Sequence, residues 1–133
     1  MIRPGGLKLT ERALALAALP PGSRVLDMGC GTGVTLGYLI HQCRLRGVGI
    51  DLSTNLLAEG RGQDPGLPLA QASGAHLPFI DAAVDAILAE CSLSLMEDVG
   101  RALDECARVL KPGGILLVHD VYARSPESGS RLK

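Results

Sequence analysis

Nine residues, Val25 to Gly33, constrain this chain more than any others: they read VLDMGCGTG. Val25 and Leu26 are strand-like, and Asp27 falls where the strand would end. Gly29, Gly31 and Gly33 then alternate with small residues before a helical pattern begins. A strand that turns through glycines into a helix lets a ligand approach the backbone closely. That turn lies at the carboxyl end of a strand, where open α/β sheets bind their ligands. Asp51 follows a second strand-like stretch, Gly47 to Ile50, eighteen residues after Gly33. Together these features point to a nucleotide-like ligand.

The spacing narrows the choice. A dinucleotide loop needs a third glycine or alanine three residues after the second glycine, where it lets helix and strand pack closely. Counted from Gly29 and Gly31 that position is Val34, and counted from Gly31 and Gly33 it is Leu36. Both fail. A phosphate-cradling loop needs Gly-Lys followed by Ser or Thr, and the chain has none. Asp27, just before the loop, suits a ligand carrying positive charge better than a phosphate. S-adenosylmethionine is such a ligand, with an ammonium, a sulfonium and a neutral adenosine. Asp27 can accept from the ammonium, and Asp51 can take both ribose hydroxyls, since a carboxylate is acceptor-only.

Helical and strand patterns alternate along the rest of the chain. Thr10 is placed to cap a helix to about Leu19 with an apolar face of Leu9, Ala13, Leu16 and Ala17. Strands are expected near residues 24–27, 48–51, 69–72, 84–89 and 115–120. A helix carrying Leu36, Leu39, Ile40 and Cys43 follows the glycine turn. Ser53 is placed to cap a short helix to about Arg61. A helix near 97–110 is expected to bury Val99, Ala102, Leu103, Cys106 and Leu110, with Lys111 to Gly114 ending it. Such alternation predicts a parallel sheet covered by helices on both faces. The 133 residues fit a single domain, 1–133, with a Ser- and Arg-rich tail at 124–133 expected to fray.

Composition excludes several partners. A net charge of −1 gives no electrostatic reason to bind nucleic acid, and three aromatic residues (Tyr38, Phe79 and Tyr122) leave little for base stacking. No apolar run reaches the roughly 18 residues of a membrane span, and no signal-peptide pattern opens the chain. A cytoplasmic protein with four reduced thiols is expected. The cysteines form no CxxC pair, so no metal site is expected.

With these motifs in order, the chain resembles the class I S-adenosylmethionine-dependent methyltransferases from about Leu9 to Val121. VLDMGCGTG is similar to the first motif of that family, GIDLS (Gly49 to Ser53) to the second and SGAHLPF (Ser73 to Phe79) to the third. DAILAE (Asp85 to Glu90) is similar to the fourth, and ARVLKPGGILLV (Ala107 to Val118) to the signature along the fifth strand. The closest subgroup is the small-molecule methyltransferases with LPF and RVLKPGG signatures. The resemblance implies an α/β, Rossmann-like doubly wound parallel sheet of strand order 3-2-1-4-5. It also implies a cofactor site from Asp27, Gly29, Cys30, Gly31, Gly33, Asp51, Leu52, Ser73, Gly74, Ala75 and Glu90. The position of Gly31 in the loop is expected to leave no room for a side chain facing the ligand. The family usually has Asp at Ser73 and Ala at Gly74; Ser73 can still accept, the backbone of Gly74 and Ala75 can meet the adenine ring, and His76 is a candidate stacking neighbour.

In this family catalysis is mainly alignment and exclusion of water. Glu90 to Met96 lie where the methyl group is expected. His119 and Tyr122 are candidate bases, and Cys91 is a candidate substrate-binding residue together with them. The expected acceptor is a small molecule. The stretch from Glu90 to Leu95 also resembles arsenite methyltransferases, which leaves a thiol- or arsenic-directed activity using Cys91 as one alternative. A cofactor-binding interaction module without activity is another. The family's strands six and seven, a C-terminal hairpin, are expected to be missing. Strand five is therefore expected to be an apolar edge covered by the tail, a homodimer or a partner chain.

Overall fold

The computed structural model describes residues 7–90 and 92–119, with backbone alone at Ser94. Its elements run α1 (Leu7–Ala17), β1 (Arg24–Met28), α2 (Val34–His41), β2 (Arg46–Asp51), α3 (Thr54–Gln63), β3 (Leu69–Gln71), β4 (Val84–Glu90), a 3-10 turn (Leu93–Leu95), α4 (Val99–Val109) and β5 (Leu110–His119). The five strands form one sheet in the order β3-β2-β1-β4-β5, and every pairing is parallel. This is the expected strand order. Among the described residues no helix is long and apolar enough to cross a membrane.

Strand periodicity explains the layers. Successive side chains point to opposite faces, so Leu26, Met28, Ile87 and Ala89 enter one core with Ala102, Cys106 and Val109 of α4. Val25, Ala86 and Leu88 enter the other with Leu39 of α2 and Leu14 of α1. Both faces of β1 and β4 are buried, as expected of central parallel strands. The same alternation sends Asp27 and Glu90 to the α1–α2 side, at the carboxyl ends of their strands.

Several local expectations change. Thr10 lies inside α1 rather than capping it, is fully buried, and donates to Glu90. Leu16, read as part of the apolar face, is 88% exposed. In α4 the buried residues are Ala102, Cys106 and Val109, while Val99 and Leu103 are exposed; Asp98 caps this helix through Arg101 N. Lys111 to Gly114 lie within β5. Leu110 pairs with Val84 and Ile115 with Ala86, so the intervening residues bulge out of register, with Gly113 at φ 79°. The Ser53 cap of α3 is as read, accepting from Leu56 N at 3.2 Å.

Two of the sequence motifs meet in space. Arg108 donates to the carbonyls of Leu77 at 3.1 Å and Phe79 at 2.8 Å, and it pairs with Asp81 and Glu105. Glu105 accepts from Leu77 N at 2.8 Å. The helix before β5 therefore fixes the loop from Leu77 to Asp81, and with it the Ser73 to Ala75 turn that this loop continues.

Candidate functional site

A cavity of about 820 Å³ opens at the carboxyl ends of β1, β2 and β4. This is within the usual range for a small-molecule site. Asp27, Gly29, Cys30, Gly31, Asp51, Leu52, Ser73, Gly74, Ala75 and Glu90 all line it, joined by Ser92, Leu95 and Met96 from the segment after β4. Residues from four motifs distant in sequence therefore share one wall.

The glycine turn is held inward. The N–H groups of Gly29 and Cys30 both donate to Ile50 O at 2.9 Å, and that of Gly33 to Cys30 O at 3.0 Å. Gly31 N donates to Asp51 Oδ2 at 2.8 Å. A loop that binds phosphate must aim such N–H groups at its ligand; here four of them are already engaged. The other oxygen of Asp51 accepts from Ser53 N at 2.9 Å. The carboxylate is thus oriented by backbone on two sides, and its remaining lone pairs are available to the cavity it lines.

The glycines divide by role. A Cβ on Gly29 would lie 2.6 Å from Ser92 Cβ, so the loop after β4 closes directly on this residue. Gly31 has no close protein neighbour. Its nearest neighbour to an added Cβ is Leu56 Cδ1 at 4.0 Å, so the protein leaves room there, and the requirement for glycine is its φ of 57°. Gly33 does not line the cavity. Its φ is 85°, it starts α2, and an added Cβ would meet Leu67 Cδ1 at 2.8 Å; its task is the turn and its packing. Gly74 lies under Met96, whose Cε would be 2.7 Å from an added Cβ.

Glu90 is the buried centre of the α1–α2 side, 4% exposed. It accepts from Thr10 of α1 and from Thr35 of α2 at 3.0 Å, and His119 Nδ1 stands 3.5 Å from its Oε2. His119 is paired with Glu90 in the parallel register, is 16% exposed, and is not among the residues lining the cavity. Cys91 and Tyr122 lie outside the described residues.

Elsewhere the third motif is tied to itself. Ser73 Oγ accepts from Ala75 N at 3.1 Å, which engages the Ala75 N–H and leaves the serine hydroxyl hydrogen to donate. His76 is not among the residues lining the cavity: Arg101 stands 3.0 Å from its Nδ1 and also donates to Ala75 O. The negative character of the cavity is registered by Cys30. Burial first, and then the charges of Asp27 and Asp51, push its thiol up to about 12, so it stays neutral.

Thr10 and Thr35 escaped the sequence reading as site residues; Ser92 and Met96 fell within the stretch from Glu90 to Met96 expected near the methyl group, without a role of their own. Thr10 carried a misleading signal, a hydroxyl near a helix start. The others carry none that a single sequence shows, because their roles depend on contacts across the sheet.

A profile of the methyltransferase-domain family matches residues 26–118. A Bacillus subtilis protein described as the uncharacterized methyltransferase YodH is 37% identical over 92% of this chain and 54% of its own length. The demethylmenaquinone methyltransferase of Corynebacterium kroppenstedtii is 40% identical over 74% of this chain and 42% of its own. Among solved structures, a methyltransferase in complex with the Trm112 activator of Haloferax volcanii superposes with a TM-score of 0.78 at 30% identity, covering 85% of this chain and 51% of that one. The chain spans about half the length of the curated relatives it matches. With the family profile covering the glycine turn, the acid after β2 and all but the last residue of β5, the chain belongs to the methyltransferase-domain family and has the fold of class I S-adenosylmethionine-dependent methyltransferases.

Proposed function

We propose that the protein transfers a methyl group from S-adenosylmethionine to a small-molecule acceptor bound in the 820 Å³ cavity. The observation that carries this reading is the state of the glycine turn. Its N–H groups are engaged within the protein, while the acidic residues Asp27 and Asp51 line the cavity beside it. That arrangement favours a cationic ligand bearing a ribose over a pyrophosphate. Asp51 would hold the ribose hydroxyls, Asp27 the ammonium, directly or through water, and Gly29, Cys30 and Gly31 the extended amino-acid end. Leu52, Ser73, Gly74 and Ala75 would flank the adenine.

When bound, the cofactor supplies a methyl group on a sulfonium, so that a bond from the acceptor to carbon forms as the carbon–sulfur bond breaks and its electron pair stays on sulfur. The protein's contribution is to align the acceptor and keep water out. Leu95 and Met96, with Met96 seated over Gly74, supply an apolar cover. His119 does not line the cavity, so as a base it would act through Glu90, whose Oε2 lies 3.5 Å from its Nδ1.

Among the described residues β5 pairs with β4 alone, and Val118 is 51% exposed. A second copy or a partner chain along this edge is part of the proposal. Isothermal titration with S-adenosylhomocysteine tests the cofactor, and a screen of metabolite extracts with methyl-labelled cofactor tests the transfer. Binding without label transfer to any fraction would favour the reading as an inactive interaction module.

A further inference from the structure

We propose that Gly74 and Met96 together set the depth of the cavity at its adenine end, Gly74 by leaving a notch and Met96 by folding its side-chain end into that notch. The inference deepens the methyl-transfer reading and rests on it. Gly74 is buried and lines the cavity, and it is not among the glycines with positive φ, so no backbone strain calls for glycine there. Contact does. A Cβ on Gly74 would lie 2.7 Å from Met96 Cε and 3.1 Å from both Met96 Sδ and Met28 Sδ. The thioether end of Met96 therefore occupies the space that an alanine methyl would take.

Two of the three parties at the notch are held. His76 N donates to Ser73 O at 3.1 Å, Ala75 N to Ser73 Oγ at 3.1 Å and Arg101 to Ala75 O at 2.9 Å, which pins the turn that carries Gly74. Met28 is 1% exposed in the core, with Cys106 Sγ 4.0 Å from its Sδ. Met96 is the party free to yield. Its backbone is anchored, because Met96 N donates to Leu93 O at 3.2 Å and the preceding Ser92 packs its Cβ against Gly29. Its side chain is half-buried and unbranched, with three rotatable bonds.

A methyl group at position 74 would therefore swing the end of Met96 aside. Met28 closes the core side, and the space left is the cavity that Met96 already lines. The displaced thioether would take volume from the ligand, while the fold, relieved by a side-chain rotation, would lose little stability. Met96 is thus a positioning residue for the adenosine, and its reach depends on Gly74.

The test is a double-mutant cycle in the full chain, with Gly74→Ala, Met96→Ala and the two combined. Each is melted, and each is titrated with S-adenosylhomocysteine and with methylthioadenosine, which keeps the adenosine and lacks the amino-acid end. Gly74→Ala should melt close to the native chain yet bind both ligands about fivefold or more weakly, the scale of an overpacked contact. In the Met96→Ala background the same change should weaken binding by less than about twofold, since the colliding side chain is gone. Should Gly74→Ala fail to fold, Met96→Phe carries the comparison. A ring too broad for the notch should bind S-adenosylhomocysteine more weakly than Met96→Ala does, whereas an apolar cover alone would rank the two the other way. Unchanged binding in Gly74→Ala, a penalty that persists without Met96, or a loss confined to S-adenosylhomocysteine overturns the inference. A native chain that binds neither ligand overturns the methyl-transfer reading itself, and the first titration separates the two failures.

Discussion

Asp51 Oδ2 accepts a hydrogen bond from Gly31 N at 2.8 Å, across twenty residues of sequence. This contact joins the end of β2 to the glycine turn after β1, and it does two things at once. It removes an N–H that a phosphate would need, and it orients a carboxylate that lines the cavity. Replacing Asp51 with Ala should weaken S-adenosylmethionine and S-adenosylhomocysteine alike, since both carry the ribose. Losing hydrogen bonds to a charged group costs about 1.5–3 kcal/mol, readable as a fall in affinity by calorimetry. Unchanged affinity for both would place the ribose elsewhere.

Two glycines of α3 should respond with opposite signs. A Cβ on Gly62 would meet nothing within 4 Å, so Gly62→Ala should stabilise by about 0.5–1 kcal/mol through helix propensity. A Cβ on Gly60 would lie 2.3 Å from the backbone oxygen of Thr32, in the glycine turn. Gly60→Ala should therefore destabilise by about 1–3 kcal/mol and weaken cofactor binding as the turn shifts. Chemical denaturation of the two variants side by side checks this; stabilisation by both would mean that α3 does not brace the turn.

Thr10 is the one residue of α1 that is buried, and its hydroxyl meets a buried carboxylate. The helix is thus held to the site by a polar contact more than by an apolar face. Thr10→Val should cost about 1.5–3 kcal/mol and open α1 to proteolysis, whereas Thr10→Ser should retain most of the stability. A larger loss in Thr10→Ser than in Thr10→Val would show that the methyl group, not the hydroxyl, holds the helix.

Acid should loosen the third motif. The Arg108 side chain first, and the Leu77 N–H as well, hold the Glu105 carboxyl down to about 2, against burial that pushes it up. A depressed folded-state value means that this stabilisation is fully present above about pH 4.5, the ordinary carboxyl value, and is lost as pH falls from there through about 2. Glu105→Gln should lower the melting temperature at pH 7, and the gap between it and the native chain should close toward pH 2. A gap independent of pH over that range would contradict the linkage.

The β5 edge makes a separate prediction. Light scattering should show a dimer, or a monomer that takes up a partner chain, with contact along Ile115 to Val118. A lasting monomer whose β5 amides exchange slowly with solvent would contradict an open edge, because slow exchange requires that the strand be covered.

Legibility in the sequence followed the range of the forces involved. The order of elements was readable because glycine turns, caps and period-two or period-3.6 patterns are local; Ser53 capping α3 is an example. The strand order came through family resemblance, which carries long-range information that periodicity lacks. Helix faces were read less well. Leu16, Val99 and Leu103 fit an apolar spacing yet stay exposed, since which part of a stripe is covered depends on where the helix docks. The four-residue bulge in β5 was invisible because Lys-Pro-Gly-Gly reads equally as a turn. At the site, residues in the glycine turn and at strand ends were legible from their chemistry. Thr10 and Thr35 were not, because a hydroxyl acquires its role only from the neighbour that the fold brings to it.

The central claim is that the cavity holds an adenosyl sulfonium cofactor rather than a dinucleotide. Calorimetric titration of the full chain with S-adenosylhomocysteine and, separately, with NADH tests it most directly. Saturable one-to-one binding of S-adenosylhomocysteine, weakened by Asp51→Ala, with NADH binding far more weakly, is the predicted result. NADH binding as tightly as S-adenosylhomocysteine, or no binding of S-adenosylhomocysteine by the folded chain, would contradict it.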